Sequence, residues 1–237
     1  MARGRLYAGT SGFAYKQWKP GFYPADLKSA GMLGYYASRL PSVEINNTFY
    51  RMPTAALLES WKAQTPERFV FTLKAPQRIT HLKRLKDVSE DVAFFLRTAG
   101  ALGGKLGCLL FQCPPSLRYK AELLDGFLAA LPPQTPRLAM EFRHPSWNEP
   151  EVRERIGARG IALCSVDDEG TDAEIVRTAR EFVYLRLRKP GYDPARLDSW
   201  AEKIAPVLDD GADAYVYLKH EDDPAGVSYA LRLLELA

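Results

Sequence analysis

Residues 137–147, R-L-A-M-E-F-R-H-P-S-W, place a carboxylate and a guanidinium two positions apart at the end of an apolar run. Side chains alternate between the two faces of a strand, so Glu141 and Arg143 share one face. Pro145 lacks the N–H that a strand ladder requires, which predicts that the strand stops close to His144. An unpaired charge in a confined space is costly. If this strand lies inside a closed sheet, Glu141 and Arg143 therefore predict a site.

Each of the remaining predicted strands also ends in polar side chains. In barrels of alternating strands and helices, the chemistry lies at the C-terminal ends of the strands. One or two such residues are ordinary, and Arg188 or Lys219 alone is also compatible with a solvated rim. A buried salt-bridge lattice without a ligand is the alternative for the whole set, but burying so many charges is expensive unless they serve a site. The candidates are Ser11, Glu44, Asn46, Thr72, Lys74, Gln112, Glu141, Arg143, Ser165, Asp167, Arg186, Arg188 and Lys219.

The charge of this set favours an anionic ligand such as a phosphate or a carboxylate. The three carboxylates are outnumbered by five cations, namely Lys74, Arg143, Arg186, Arg188 and Lys219. The three histidines, His81, His144 and His220, all follow strand ends and are able to move protons near neutral pH.

The alternative is that the carboxylates bind a divalent metal ion. Glu44, Glu141, Asp167 and a histidine offer oxygen and nitrogen ligands. No H-x-H or H-E-x-x-H spacing is present in the sequence. The five nearby cations also disfavour a metal cluster, so no cofactor is predicted.

The elements that must position these residues alternate along the whole chain. Amphipathic segments that predict helices separate the strands, and the connection through 171–180 has only a weak helical pattern. Eight such units of about 30 residues predict an α/β fold, a single (β/α)8 TIM-type barrel over residues 1–237. A doubly wound sheet usually has fewer strands and a glycine-rich phosphate turn, and no G-x-G-x-x-G occurs here. The predicted strands cover 6–10, 43–47, 69–74, 106–112, 137–144, 161–166, 182–188 and 214–219.

A long aromatic loop separates the first strand from the first helix. It contains Phe13, Tyr15, Trp18, Phe22 and Tyr23. Its length is sufficient for a lid over the barrel mouth. Packing of the rings on the rim and stacking on the bases of a nucleic acid are the alternatives.

Composition narrows the classes of partner and compartment. The net charge of +3, from 32 basic and 29 acidic residues, does not by itself imply nucleic acid. Three cysteines are an odd number, and two of them lie in apolar runs, which favours reduced thiols. No run approaches a membrane span, and the N-terminus has no apolar signal core. We therefore expect a cytoplasmic protein without a membrane partner.

Several motifs together resemble the DUF72 (YecE-like) family over essentially the whole chain. They are G-T-S-G-F at 9–13, W-K-P-G-F-Y-P at 18–24, V-E-I-N-N-T-F-Y-R-M-P at 43–53, F-Q-C-P-P at 111–115 and E-F-R-H-P-S-W at 141–147. The resemblance implies a TIM barrel, loosely grouped with sugar-isomerase-like proteins, and no particular activity. It marks as signature positions Glu44, Asn46, Lys74, Gln112, Glu141, Arg143, His144 and Trp147.

Two departures from the family pattern make the barrel mouth more basic. Relatives often carry His-Gly after the arginine of the seventh strand, where this chain has Arg188-Lys189. They also often carry asparagines before the last histidine, where this chain has Leu218-Lys219. A substrate preference cannot simply be transferred from relatives.

The favoured function is an enzyme that acts on a small anionic molecule, sugar-phosphate-like or sugar-acid-like, by isomerase, epimerase or lyase chemistry. Glu44 or Glu141 would be the general base, and His144 or His220 its proton partner, with Asp167 also in the catalytic set. Whether Glu141 is a base or the structural partner of Arg143 stays open. The residues predicted to bind substrate are Asn46, Lys74, Gln112, Arg143, Trp147, Arg186, Arg188, Lys219 and His220.

Two alternatives belong to other functional classes. A nucleic-acid-binding or -processing barrel would use Lys83, Arg84 and Lys86 beside the pocket, and its binding would weaken steeply with salt. A non-catalytic small-molecule binder would use the same pocket without turnover.

Overall fold

Eight parallel strands form a closed barrel in the order of the sequence, with the last strand paired to the first. The computed structural model describes residues 2–170, 173–219 and 222–237. The predicted TIM-type barrel is confirmed, and the open doubly wound sheet is wrong because the sheet has no edge. The strands are β1 Leu6–Thr10, β2 Ser42–Ile45, β3 Val70–Lys74, β4 Leu106–Gln112, β5 Leu138–Glu141, β6 Ala162–Asp167, β7 Phe182–Leu187 and β8 Asp213–Leu218.

Seven α-helices surround the barrel within the described ranges. None of them combines the length and the apolarity that a membrane crossing requires. Side-chain caps define where two of the helices begin. The Thr54 hydroxyl accepts from the N–H of Leu57 at the start of the second helix, and the Asp193 carboxylate accepts from the N–H of Arg196 at the start of the sixth. The helices are α1 Met32–Ala37, α2 Ala55–Ala63, α3 Ser89–Ala99, α4 Ala121–Ala130, α5 Pro150–Gly157, α6 Pro194–Asp209 and α7 Ala225–Leu236.

The connection between β6 and β7 contains no helix in its described part, residues 173–180. Instead it is held to β6 by side-chain bonds to the backbone. The hydroxyl of Thr178 accepts from the N–H of Leu163 at 2.7 Å, and that of Ser165 accepts from the N–H of Val176 at 3.0 Å. These bonds explain why the weak helical pattern of this segment does not become a helix.

The barrel interior is a packed core of strand side chains, separate from the apolar layer between strands and helices. Tyr215 stacks on Tyr7 with ring centroids 4.9 Å apart. Higher in the barrel, the Tyr217 hydroxyl bonds to the hydroxyls of Ser42 at 2.5 Å and Thr72 at 2.7 Å. Because side chains fill the interior, the space for a ligand is at the C-terminal end of the strands.

Most rings of the aromatic loop pack on the barrel rim. Trp18 and Tyr23 are fully buried, and Phe22 makes an edge contact with Tyr35. Of the alternatives for this loop, rim packing therefore describes most of its rings. Tyr15 differs, because its ring lines the mouth while its hydroxyl donates to the backbone oxygen of Ser11.

Candidate functional site at the barrel mouth

A cavity of about 650 Å³ opens at the C-terminal ends of the strands. Its volume lies in the range of pockets that hold small molecules. Eight residues predicted from strand ends line it together: Ser11, Asn46, Lys74, Gln112, Arg143, Arg186, Arg188 and Lys219.

Arg186, near the end of β7, lies at the base of this cavity and bridges two carboxylates. Its side chain is only 3% exposed. One terminal nitrogen donates to Glu141 Oε2 at 2.7 Å, and the other donates to Glu44 Oε1 at 2.8 Å. A planar guanidinium suits such a double contact because its donors have a fixed fork geometry. The three residues join β2, β5 and β7 across the barrel.

Further donors fill the remaining lone pairs of Glu44. Oε1 also accepts from the hydroxyl of Ser11 at 2.9 Å and from Nδ2 of Asn46 at 3.0 Å. Oε2 accepts from the buried hydroxyl of Tyr184 at 2.6 Å. Both oxygens of Glu44 are therefore occupied by side chains of β1, β2 and β7.

Glu141 is held in a similar way. Its Oε1 accepts from Nε2 of Gln112 at 2.7 Å and from Nε of Arg143 at 2.9 Å. Burial by itself would raise the pKa of Glu141, but the charges of Arg186 and Arg143 and their hydrogen bonds outweigh it and lower the pKa to about 2. Burial alone would also raise the pKa of Glu44, but the charge of Arg186 together with the hydrogen bonds from Tyr184, Asn46 and Ser11 outweighs it and lowers the pKa.

Two permanently ionised and fully occupied carboxylates are poorly suited to accept a proton near neutral pH. For Glu141 the geometry supports the structural alternative, in which it orients Arg143 and Arg186. The same reasoning applies to Glu44. Among the described residues, no three His, Cys, Asp or Glu side chains cluster as a metal ion would require.

Lys74, at the end of β3, has an amine that is committed to no acceptor. Within the described part of the chain its Nζ makes no hydrogen bond or ion pair, and it lies 4.3 Å from the centre of the Phe49 ring. Burial and then the charge of Arg186 lower the pKa of Lys74 to about 8. A considerable share of this amine is therefore unprotonated near neutral pH.

His81 makes an edge contact with the same aromatic ring. The centroids of His81 and Phe49 are 4.8 Å apart, and Nδ1 of His81 lies 2.8 Å from the hydroxyl oxygen of Thr80. Burial, followed by the charges of Lys74 and Arg143, lowers the pKa of His81. A neutral imidazole therefore faces the cavity beside the amine.

Three further cations surround the opening. Arg143 uses its Nε for Glu141, and its terminal nitrogens have no acceptor among the described residues. Arg188 has its nearest described carboxylate, Asp168, at 3.9 Å, and burial followed by the charge of Arg186 lowers its pKa. Lys219 lines the cavity without an ion-pair partner in the described ranges.

Asp167 does not reach the mouth, so its predicted place in the catalytic set is wrong. Val166 packs with the interior cluster, and alternation along β6 turns Asp167 towards the helices. Its carboxylate accepts from the Tyr192 hydroxyl at 2.9 Å and Trp200 Nε1 at 3.2 Å, and lies 2.8 Å from Lys189 Nζ. Without Asp167 the mouth carries five cations and two carboxylates, an excess of three positive charges.

His144 and Trp147 do not line the cavity either. Nδ1 of His144 accepts from the N–H of Ser146 at 3.1 Å and caps the short turn Pro145–Trp147. Trp147 is buried, stacks on Phe142 at 3.9 Å and donates to the backbone oxygen of Leu117. The structure corrects both predictions, because the chain turns away from the cavity after Arg143. His220 lies outside the described residues.

Several lining residues are absent from the predicted substrate and catalytic set. They follow β1, β2 and β3 on short turns that return over the mouth, so strand alternation cannot identify them. The N-N-T-F-Y run after β2 and the histidine after β3 were the available signals. These residues are Ser11, Tyr15, Asn47, Phe49, Tyr50, Gln77 and His81.

Asn46 connects the mouth with a neighbouring, more apolar cavity of about 270 Å³. Because its Nδ2 donates to Glu44, the orientation of its amide is fixed. Its Oδ1 is buried and accepts from no donor in the described part of the chain. A buried acceptor without a donor is unfavourable, so this atom is a natural contact for a ligand hydroxyl or amine.

Solved structures with the same fold are found in bacteria. A DUF72 family protein from Thermotoga maritima MSB8 is 28% identical, with a TM-score of 0.84 and coverage of 98% of both chains. A DUF72 family protein from Enterococcus faecalis V583 is 18% identical, with a TM-score of 0.79, and shares the fold over 100% of this chain and 95% of its own.

Sequence comparison assigns the family directly. The UPF0759 protein YunF of Bacillus subtilis is 32% identical over 158 residues, which is 63% of this chain and 55% of YunF. The UPF0759 protein YecE of Escherichia coli K12 is 29% identical over 146 residues, 61% of this chain and 53% of YecE. The matched regions thus span about half the length of these relatives. The family described as "Protein of unknown function DUF72" matches residues 7–237, so the chain belongs to the DUF72 family.

Proposed function

We propose that this protein is an enzyme that binds a small hydroxylated anion, a sugar phosphate or sugar acid, in the barrel mouth and transfers protons on it. The reaction class is isomerase, epimerase or lyase chemistry. The observation that carries the proposal is the cavity of about 650 Å³ that Arg143, Arg188 and Lys219 line together. Among the described residues, the terminal nitrogens of Arg143 and the amine of Lys219 have no acceptor, and the nearest carboxylate to Arg188 is 3.9 Å away.

An anion in this cavity would relieve the excess of positive charge. The two carboxylates at its base cannot do so, because Arg186 and neutral donors already occupy them. Arg143 offers its terminal N–H groups to the cavity, and such groups bind phosphate and carboxylate oxygens in pairs. The cations also stabilise negative charge that develops on an enediolate or oxyanion.

Lys74 and His81 are the proposed proton-transfer groups, in place of the two glutamates. Both contact the Phe49 ring and both line the cavity. A general acid or base works best when its pKa is near the working pH, and a pKa of about 8 meets that condition for Lys74. Asn46 Oδ1, the buried acceptor without a donor, supports a hydroxyl group on the substrate.

The nucleic-acid alternative has less support from the geometry. Lys83 pairs with Asp91 at 2.7 Å, and Arg84 donates to the backbone oxygen of Ser116 at 2.8 Å. Two of the three basic side chains invoked for that function are thus already paired, Lys83 with helix α3 and Arg84 with the segment after β4. The cations without acceptors converge on the cavity instead.

The test is a thermal-shift and calorimetric screen of the protein against sugar phosphates, sugar acids and short oligonucleotides. A ligand that binds only the folded state raises the melting temperature. We expect a small anion to bind, and Arg143→Gln to weaken it roughly 10- to 100-fold, which corresponds to one charge-assisted hydrogen bond. Arg155→Gln is the matched control, since Arg155 pairs with Asp125 on the outer helices.

Turnover then separates an enzyme from a binder. The bound anion should be converted by the wild type, and Lys74→Met should still bind it while losing turnover. Failure of every small anion to bind, or equal binding by Arg143→Gln, would refute the proposal. Binding only of oligonucleotides, lost at higher salt, would support the alternative.

A further inference from the structure

The amine of Lys74 differs from that of an ordinary lysine in a polar site, because no carboxylate among the described residues is available to it. The two glutamates near it, Glu44 and Glu141, are both occupied by Arg186 and by further donors. Its described surroundings are a phenyl ring at 4.3 Å and a nearby guanidinium. Partial desolvation together with a neighbouring cation is the arrangement that activates a lysine as a nucleophile.

We propose that Lys74 forms an imine with the carbonyl carbon of an anionic aldehyde or ketone whose charged group is held by Arg143 and Arg188. This rests on the proposed function for the anion site and adds a covalent step to it. The uncommitted amine, the cations without acceptors and the imidazole of His81 all face the same cavity, so nucleophile, anion site and proton carrier are brought together.

The step balances without an oxidant or a reductant. The lone pair of Nζ attacks the carbonyl carbon, and the electrons of the C=O double bond move to oxygen, which takes a proton. The resulting carbinolamine loses its hydroxyl group as water with a proton relayed through His81, while the nitrogen lone pair forms the C=N bond and gives the protonated imine. Loss of the remaining N–H proton gives the neutral imine and returns the proton to His81. The net change is amine and carbonyl to imine and water. A protonated imine then withdraws electrons from the neighbouring C–H or C–C bond, as isomerase and lyase chemistry requires.

Burial, and after it the neighbouring arginines, enlarge the unprotonated share of Lys74 that is able to attack, compared with an ordinary lysine. Arg186 and Arg143 disfavour a further positive charge, whereas Glu44 and Glu141 act in the opposite direction, and burial adds to the effect of the arginines. The balance lowers the pKa of Lys74 to about 8. Each unit of lowered pKa raises the unprotonated fraction about tenfold near neutral pH.

The experiment traps the imine on the intact protein. Wild type is incubated with glyoxylate and sodium cyanoborohydride near pH 7.5, digested with trypsin and analysed by mass spectrometry. Reduction leaves a carboxymethyl group on the reacting nitrogen, and trypsin then fails to cut after Lys74. We expect Lys74 to be labelled at least about tenfold faster than Lys219, which lines the same cavity.

Two variants and a neutral probe separate the parts of the proposal. Arg143→Gln should slow labelling by glyoxylate about tenfold more than labelling by neutral glycolaldehyde, because only glyoxylate carries a charged group for Arg143 to hold. Lys74→Arg retains the charge and should remove the major adduct without producing a new one on Lys219. Circular dichroism confirms that each variant is folded.

Each outcome bears on one of the two proposals. Labelling spread evenly over the lysines would overturn the imine. Glyoxylate could raise the melting temperature of the wild type but not of Arg143→Gln, while Lys74 stays unlabelled. That result would overturn the imine and support the anion site. Selective labelling of Lys74 that is equal for both probes and insensitive to Arg143→Gln would support the imine and refute the anion site.

Discussion

The guanidinium of Arg186 lies 2.7 Å from the carboxylate of Glu141, on a strand two positions away in the barrel. The same guanidinium lies 2.8 Å from Glu44. Because both carboxylates are neutralised from inside the barrel, neither is left to pair with Lys74. One buried arginine thus fixes the charge state of the site and leaves the amine uncommitted.

Removing one partner of this buried ion network should destabilise the fold strongly. Glu141→Gln leaves Glu44 as the one remaining described carboxylate for Arg186 and leaves Arg143 with none, and we expect a loss of roughly 3–5 kcal/mol in the free energy of unfolding. Urea denaturation measures it. Asp125→Asn, which breaks the exposed pair with Arg155, is the control and should lose at most about 1 kcal/mol. Equal losses would contradict the bridging role of Arg186.

The lowered pKa of Glu141 predicts a specific acid response. The pKa is about 2 in the folded protein against an ordinary value of 4.5, so the ionised form is favoured by folding. The stabilisation is complete above pH 4.5 and is lost as the pH falls towards 2. The difference in unfolding free energy between wild type and Glu141→Gln should therefore narrow across this window. A constant difference would show that Glu141 does not titrate as inferred.

The hydroxyl of Tyr184 should contribute more than that of Tyr217, although both are buried in the barrel. Tyr184 donates to the ionised Glu44 at 2.6 Å, whereas Tyr217 bonds to the neutral hydroxyls of Ser42 and Thr72. Hydrogen bonds to charged groups contribute about 1.5–3 kcal/mol and neutral ones about 0.5–1.5 kcal/mol. Comparing Tyr184→Phe with Tyr217→Phe by urea denaturation tests this order. The reverse order would count against an ionised Glu44.

Lys74→Met should stabilise the fold at pH 7, since it removes a partly desolvated charge beside Arg186. The pKa of Lys74 is about 8 in the folded protein against an ordinary 10.5. Between these values the unfolded chain binds more protons, so the unfolding free energy of the wild type should rise with pH. Lys74→Met lacks this contribution, so the difference between its unfolding free energy and that of the wild type should shrink above pH 8. Lys219→Met is the matched control at the same mouth. If its difference from the wild type changed with pH in the same way, the inference would be contradicted.

Asp167→Asn tests the outward orientation of that carboxylate. We expect a loss of roughly 1–3 kcal/mol in stability, because Tyr192, Trp200 and Lys189 lose their common charged partner. Binding of a small anion should change less than about twofold, since the excess charge of the mouth is untouched. Arg188→Gln, by contrast, should weaken binding. A large change in affinity for Asp167→Asn would place its carboxylate back in the site.

Strands with a clear apolar pattern were predictable from the sequence alone. The bounds of β1 and β4 agree with the prediction to the residue, because each is an apolar run bounded by breaking residues. Glu44, Lys74, Glu141 and Arg186 were predicted at the C-terminal end of the barrel for the same reason. Alternation fixes which side chains share a face, but not which face is inward, and Asp167 shows the difference.

Residues on turns were the main omission. Phe49 and His81 follow β2 and β3 on short turns, Asn47–Phe49 and Arg78–Leu82, that carry their rings back over the mouth. Turn geometry depends on contacts with neighbouring strands, which no local periodicity encodes. Trp147 was predicted at the site for the opposite reason, since its motif is distinctive while its ring packs against Phe142.

The sequence by itself determined the alternation of strands and helices, and with it the gathering of polar strand ends at one edge. Only the tertiary structure decided the pairing within that edge. Arg186 meets Glu141 and Glu44, which are 45 and 142 residues away along the chain, and so Lys74 is left without a partner. The physical reason is that charge pairing depends on distance and burial in space. The closure of the barrel and the register of its strands set this distance and this burial, whereas the spacing of residues along the chain does not.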